Sequence, residues 1–232
     1  YGDWSSDVCS SDLITVPVYL VTWTGWFVTD GGYARQWADG HAPSLIPEAL
    51  RSLWHYHADM YRFHTGLTTK HPYQSSAWSW LLQGRPTALY FTQSAKCAAG
   101  TCTQAITSLG NPALWWASVL ALPYLVIEWL GRRDWRAAAI LGCVAVGWLP
   151  WVLLFGQRTI FSFYTAAFAP FIALAVAYCL GRVLGPAQAS ERRRHLGAIA
   201  VAAYLAVVLA AAAYFLPIWT AESISYSSWL QR

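Results

Sequence analysis

The chain has 232 residues, of which 56% are hydrophobic and only 11% charged, with 15 tryptophans and a net charge of +4. A soluble domain carries about a quarter charged residues, so this composition excludes an ordinary water-soluble domain and describes an integral membrane protein. Nucleic-acid binding is excluded as well, because no basic patch interleaved with aromatics lies on a polar segment.

Residues 1–12 read YGDWSSDVCSSD, with Ser-Ser-Asp twice and neither an initiator Met nor a basic n-region. This leader resembles translated adapter sequence, the alternative being a natural polar loop between spans, and the chain is expected to be a fragment. The first apolar span is expected at 13–29, with Trp23 and Trp26 toward one end as in an aromatic belt. Four more are expected at 113–130, 137–155, 160–180 and 196–219, each near the ~20 residues that cross a bilayer. The connector at 131–136 carries three arginines, and that at 181–195 carries Arg182, Arg192, Arg193 and Arg194. By the positive-inside rule both face the cytoplasm, which puts loop 30–112 and the tail 220–232 outside. Glu128, near Arg132 and Arg133, is expected to snorkel to the interface.

Within loop 30–112, residues 43–67 are expected to form an amphipathic helix. Ser44 would cap it, Leu45, Ala49, Leu53, Tyr56, Met60, Phe63 and Leu67 would form its apolar stripe, and Ser52, His55 and Asp59 would lie opposite. His55, His57 and His64 share this helix with Asp59, but their spacing is a poor metal clamp, and no metal or other cofactor is expected. Residues 87–93 and 103–109 alternate like a β-hairpin. Cys97 and Cys102 lie between them, spaced for a disulfide across a tight turn in an oxidising compartment, with a metal pair as the rival. Cys143 and Cys179, inside spans, read as small buried hydrophobes.

The most informative segment is His71-Pro-Tyr-Gln-Ser-Ser-Ala-Trp-Ser-Trp80. A water-facing loop has no packing reason to gather these side chains, so they are expected to face a ligand, a partner or the lipid surface. Arg158, in the short turn 156–159, suits either a lipid-headgroup anchor or bidentate binding of a lipid phosphate. No Gly-rich phosphate loop, G-x-S-x-G or zinc-protease motif is present, and no acidic pair stands out as a catalytic base.

These pieces carry a resemblance. Trp23-Thr-Gly-Trp-Phe-Val-Thr-Asp-Gly-Gly32, Tyr61-Arg-Phe-His-Thr-Gly-Leu67, His71 to Trp80, Gly110-Asn-Pro-Ala-Leu-Trp-Trp116, Arg158 to Phe171 and Pro217-Ile-Trp-Thr resemble, in this order, the C-terminal half of actinobacterial-type protein O-mannosyltransferases. The resemblance implies an all-α polytopic membrane protein of about five transmembrane helices, with an outer loop holding an amphipathic helix and a small β-hairpin. It implies transfer of mannose from polyprenyl-phosphate-mannose to Ser or Thr hydroxyls of secreted proteins, at the plasma membrane. His71, Tyr73, Ser75 and Trp80 would line the substrate cavity, while Arg158 and Tyr164 would face the donor phosphate. The family's acidic base lies in an N-terminal half not matched here, so this segment is expected to be inactive alone. Another polyprenyl-phosphate-sugar transferase of the same architecture, or a non-enzymatic scaffold or transporter subunit, are the alternatives.

Overall fold

A computed structural model describes residues 14–97 and 100–232, with the backbone alone described at 95–97. The leader 1–12 therefore lies outside the described residues, as does the side chain of Cys97. The chain divides into two units, one ending at Leu67 and the other covering Thr68–Arg232.

In the first unit, α1 is helical over residues 14–22 and a turn at Trp23 separates it from α2, Thr24–Val28. Helix α3 covers Glu48–Gly66, beginning just after Pro47 and carrying Glu48 in its first turn, where an acid complements the helix dipole. Two expectations are corrected here. Ser44 does not cap α3; its Oγ accepts the Ile46 N–H within the preceding turn. Ser52, expected on the solvated side, is fully buried and accepts the Ala38 N–H at 3.0 Å. The reason is the short 3-10 helix Trp37–Gly40, whose backbone needs an acceptor, and whose Trp37 ring stacks on His55 at 4.0 Å. His57 Nδ1 is bonded to the Leu53 carbonyl at 2.7 Å, and His55 pairs with Asp59 at 2.9 Å.

The second unit opens on the His71 segment and its 3-10 helix Ala77–Leu82. An antiparallel hairpin follows, β1 (Thr87–Cys97) and β2 (Gly100–Ser108), with Phe91 opposite Ala105 and Gln93 opposite Thr103. Cys102 is disulfide-bonded. A third strand, β3 (Ile224–Ser225), joins the edge of β2 and leads into the short helix α8 (Tyr226–Leu230), whose Trp229 meets Phe91 at 5.1 Å. The tail, expected only as an outer extension, is thus tied into the sheet.

Four apolar helices form the bundle. Helix α4 (Pro112–Arg132) starts with the Asn111 side chain accepting the N–H groups of Ala113 and Leu114 and with proline in its first turn, where a missing N–H costs nothing. It ends at Arg133, in left-handed conformation (φ 54°), whose N–H returns to the carbonyls of Glu128 and Trp129. Asp134 then caps α5 (Trp135–Leu153) by accepting the Arg136 N–H. A left-handed C-cap followed directly by an N-cap thus reverses the chain in two residues. The Arg136 side chain, then Tyr178, hold the Asp134 carboxyl below its ordinary range.

Helix α6 (Ala169–Leu184) differs from its expected span at 160–180. Residues Ser162–Ala167 form a 3-10 turn instead, because the buried Ser162 hydroxyl is bonded to the hairpin. It accepts the Thr87 N–H at 3.1 Å and lies 2.9 Å from the Ser108 hydroxyl. Ser162→Ala leaves the Thr87 amide only its 3.2 Å bond to Ser108 Oγ. About 1–3 kcal/mol of stability is expected to be lost, read as faster amide exchange in β1 while α4 and α5 stay protected.

Helix α7 (Glu191–Phe215), capped by Ser190, crosses α6 so closely that a Cβ on Gly197 would sit 2.5 Å from the Val183 carbonyl oxygen. Three described runs are long and apolar enough to cross a membrane: Pro112–Arg132, Trp135–Leu153 and Glu191–Ile218; Ala169–Leu184 is apolar but shorter. The bundle core holds Trp80, Trp115, Val144, Phe168 and Ile172, with a second cluster of Ala121, Leu125, Ala137, Ala175 and Val176. Two further expectations are corrected. Cys143 faces outward instead of into the core. Glu128 does not snorkel: it is 4% exposed and bonded to Tyr124, Arg132 and Arg182 across α4 and α6.

Candidate functional site: a two-arginine cleft

The His71–Trp80 segment is fixed to the bundle by backbone and indole bonds. Trp80 is fully buried, and its Nε1 donates to Ser75 Oγ at 2.8 Å. The Ser75 N–H donates to the Ile160 carbonyl at 2.9 Å, and Trp148 of α5 donates to the Ala77 carbonyl at 2.8 Å. Trp116 of α4 donates to the Leu82 carbonyl, and the Gly110 N–H donates to Gln83 Oε1 at 2.6 Å. The Trp80 bond ties the segment to itself, and the others join it and the residues just after it to α4, α5 and the stretches beside them. A long polar loop keeps one shape this way, with its buried polar groups paired.

Opposite it lies the turn after α5. Arg158 stands over the rings of Trp151 and Tyr164 at 5.5 and 5.8 Å, and its Nη2 reaches the Tyr164 hydroxyl at 3.5 Å. Those two rings stack on each other at 4.7 Å. A planar guanidinium resting on aromatic faces is well oriented while keeping its charge. Between the two walls is a cleft of about 730 Å³, whose lining includes Gln74, Ser75, Trp78, Arg85, Gln157 and Arg158. Among the described residues no carboxylate lines it, and the charged side chains in the lining are two arginines.

The structure distributes the expected site residues unevenly. Ser75 and Arg158 line the cleft. Trp80 lies beneath it in the core, and Tyr164 lies beneath Arg158, edge-on to Trp80 at 6.3 Å. His71 and Tyr73 are exposed and do not line the cleft; His71 meets Phe161 edge-on at 5.2 Å, and its Nδ1 accepts the Tyr73 N–H. Arg85 was missed from the sequence. Its guanidinium donates to the Pro72 carbonyl at 2.7 Å, closing residues 72–85 into a loop, and its backbone is left-handed at φ 66°. An arginine between Gly84 and Pro86 was the available signal.

Among the described residues, no group of three or more His, Cys, Asp or Glu is placed to hold a metal ion.

A polar cleft lined by two arginines, in a fold whose helices are long and apolar enough to cross a membrane, marks the candidate site of a membrane protein. The chain belongs to the protein O-mannosyltransferase family: residues 49–232 match the family model described as the C-terminal four TMM region of protein-O-mannosyltransferase. It is 38% identical over 229 residues to a polyprenol-phosphate-mannose–protein mannosyltransferase of Mycobacterium tuberculosis, covering 94% of this chain and 43% of that protein. The protein of the same name from Mycolicibacterium smegmatis is 36% identical, with 94% and 44% covered. This chain thus spans less than half the length of these curated relatives. Among solved structures, the Saccharomyces cerevisiae protein O-mannosyltransferase Pmt1-Pmt2 complex bound to the sugar donor shares the fold, with a TM-score of 0.61 at 22% identity over 78% of this chain and 25% of that one.

Proposed function

We propose that this chain forms the donor-phosphate and part of the acceptor wall of a polyprenyl-phosphate-mannose–protein O-mannosyltransferase. The observation that carries the reading is Arg158, held over Trp151 and Tyr164 at the mouth of a cleft without carboxylates. In the transfer, the bond between mannose C1 and the phosphate oxygen breaks, and a Ser or Thr oxygen of a secreted protein bonds to C1. The acceptor's proton goes to a base, and negative charge grows on the departing polyprenyl phosphate. A fixed guanidinium beside that phosphate stabilises the charge where it develops. Arg85 adds a second positive group, and the amide side chains of Gln74 and Gln157 offer donors and acceptors to sugar hydroxyls. The proton acceptor is not supplied by the residues that line this cleft, which supports the expectation that the segment alone does not turn over.

The arginine-rich connectors at the other end of the bundle support a plasma-membrane orientation with the cleft and the tail outside. The test is a membrane preparation of a protein of the relatives' full length carrying this segment, supplied with radiolabelled polyprenyl-phosphate-mannose and a Ser/Thr-rich peptide. Label is expected on the peptide. Label appearing only on lipid would overturn the reading in favour of a lipid-acceptor transferase.

A further inference from the structure

At the other end of the helices the structure holds a second polar pocket. Helix α5, of 19 residues, runs from the Asp134 turn to the cleft, so the two ends lie about 28 Å apart along it. There the C-terminal ends of α4 and α6 meet the start of α7. A pocket of about 510 Å³ opens between them, lined by Tyr124, Arg132, Arg182, Gly185, Pro186 and Arg193.

Three guanidiniums face one space, two held by one shared carboxylate and the third by a backbone carbonyl. Arg132 pairs with the buried Glu128 at 3.4 Å, and Arg182 pairs with the same carboxylate at 3.2 Å. Arg193 donates to the Val183 carbonyl at 2.7 Å, at the end of α6. Gly185 turns the chain away with φ 86°, leaving the space open. The nearby acid Asp134 is committed to Arg136 and Tyr178. One carboxylate between Arg132 and Arg182 leaves the lining with net positive charge, and each guanidinium has more N–H donors than these contacts use.

A separate apolar groove lies along α6. Leu180 and Val183 flank the pocket's Gly181 and Arg182, and they belong to this groove of about 250 Å³, shared with Leu120, Val176 and Tyr204. Val176 lies about 12 Å deeper than Leu184 along the helix. A basic pocket with an apolar groove beside it, both using residues of α4, α6 and α7, offers the two-part chemistry of a phospholipid.

We propose that the Arg132–Arg182–Arg193 pocket binds the phosphate headgroup of an anionic membrane lipid, with an acyl chain in the groove lined by Leu120, Val176, Leu180 and Val183. The site is separate from the cleft and does not rest on the mannosyl-transfer reading. Guanidinium forks suit phosphate oxygens, and an occupant would join α4, α6 and α7 at one end.

The experiment uses the full chain in detergent, with lipid retention read by native mass spectrometry. Phosphatidylglycerol, diacylglycerol and inorganic phosphate are the three probes. Phosphatidylglycerol is expected to bind, diacylglycerol to bind at least tenfold more weakly, and inorganic phosphate to compete only weakly. Arg132→Gln and Arg193→Gln are each expected to weaken phosphatidylglycerol about tenfold. Arg192→Gln, which removes the same charge outside the pocket, is expected to change it less than about twofold, the size of an exposed surface-charge effect. Arg132→Lys, which keeps the charge beside Glu128, tests folding and is expected to recover part of the loss. Equal losses for all three glutamine variants would mean diffuse attraction and overturn the site. Diacylglycerol binding as tightly as phosphatidylglycerol would overturn the phosphate role. Inorganic phosphate matching phosphatidylglycerol would overturn the lipid and assign the pocket to a free phosphate.

Discussion

Arg158→Ala, made in a protein of the relatives' full length, is expected to lower mannosyl transfer by about two to three orders of magnitude, the effect of removing one preorganised charge-stabilising donor. The loss should fall mainly on kcat. A charge that grows on the leaving phosphate is felt most in the transition state, so donor binding should weaken less than turnover slows. Arg158→Lys is the informative companion. Lysine keeps the positive charge but lacks the planar group that rests on Trp151 and Tyr164, so partial recovery is expected. Radiolabel transfer at saturating and limiting donor separates the two parameters. Unchanged turnover in the alanine variant would return Arg158 to a lipid-anchoring role and remove the main support for the donor-phosphate reading.

Trp80→Ala is expected to be the most destabilising single change, costing about 3–5 kcal/mol, the range for deleting a large buried aromatic. The indole is fully buried among Trp115, Phe168 and Ile172 and makes the bond that fixes Ser75. Its removal empties the floor of the cleft and leaves the Ser75 hydroxyl without its donor. Trp80→Phe fills much of the space but cannot donate, and a cost nearer 1–2 kcal/mol is expected. Thermal unfolding in detergent gives the order of the two variants. A Trp80→Ala protein melting within a degree of the parent would show that the cleft does not depend on this ring.

Much of this fold was legible because membrane helices announce themselves locally. Helices α4 and α5 follow from uninterrupted apolar runs, from Asn111-Pro112 at an N-terminus and from the charged turn between them. The hairpin followed from alternation. The segment 160–180 was not legible in the same way. Its apolar character is continuous, but Ser162 is claimed by two residues of the hairpin far away in sequence. That long-range demand overrides helix formation until Ala169, where Pro170 provides the local start signal. Ser52 was missed for the same physical reason: its partner is the Ala38 amide on another element. Glu128 shows the converse, since hydropathy places a carboxylate near a span end but not the arginine on a second helix that lets it stay buried. At the cleft, Arg158 stood out as a charge on a short turn, while Ser75 was named only through the family resemblance of its segment. Trp151 did not stand out, because a tryptophan near a helix end reads equally as an interfacial belt residue.

The crowding of indoles around the cleft has a practical consequence. Trp78 and Trp151 line it, while Trp148 and Trp80 stand directly behind. Indole emission shifts with the charge and water around the ring, and Trp151 meets both a guanidinium and a tyrosine ring. An anion that draws Arg158 away from that ring would alter the light this one residue emits. The cleft therefore carries its own optical gauge of occupancy, readable without a label and without waiting for a chemical product.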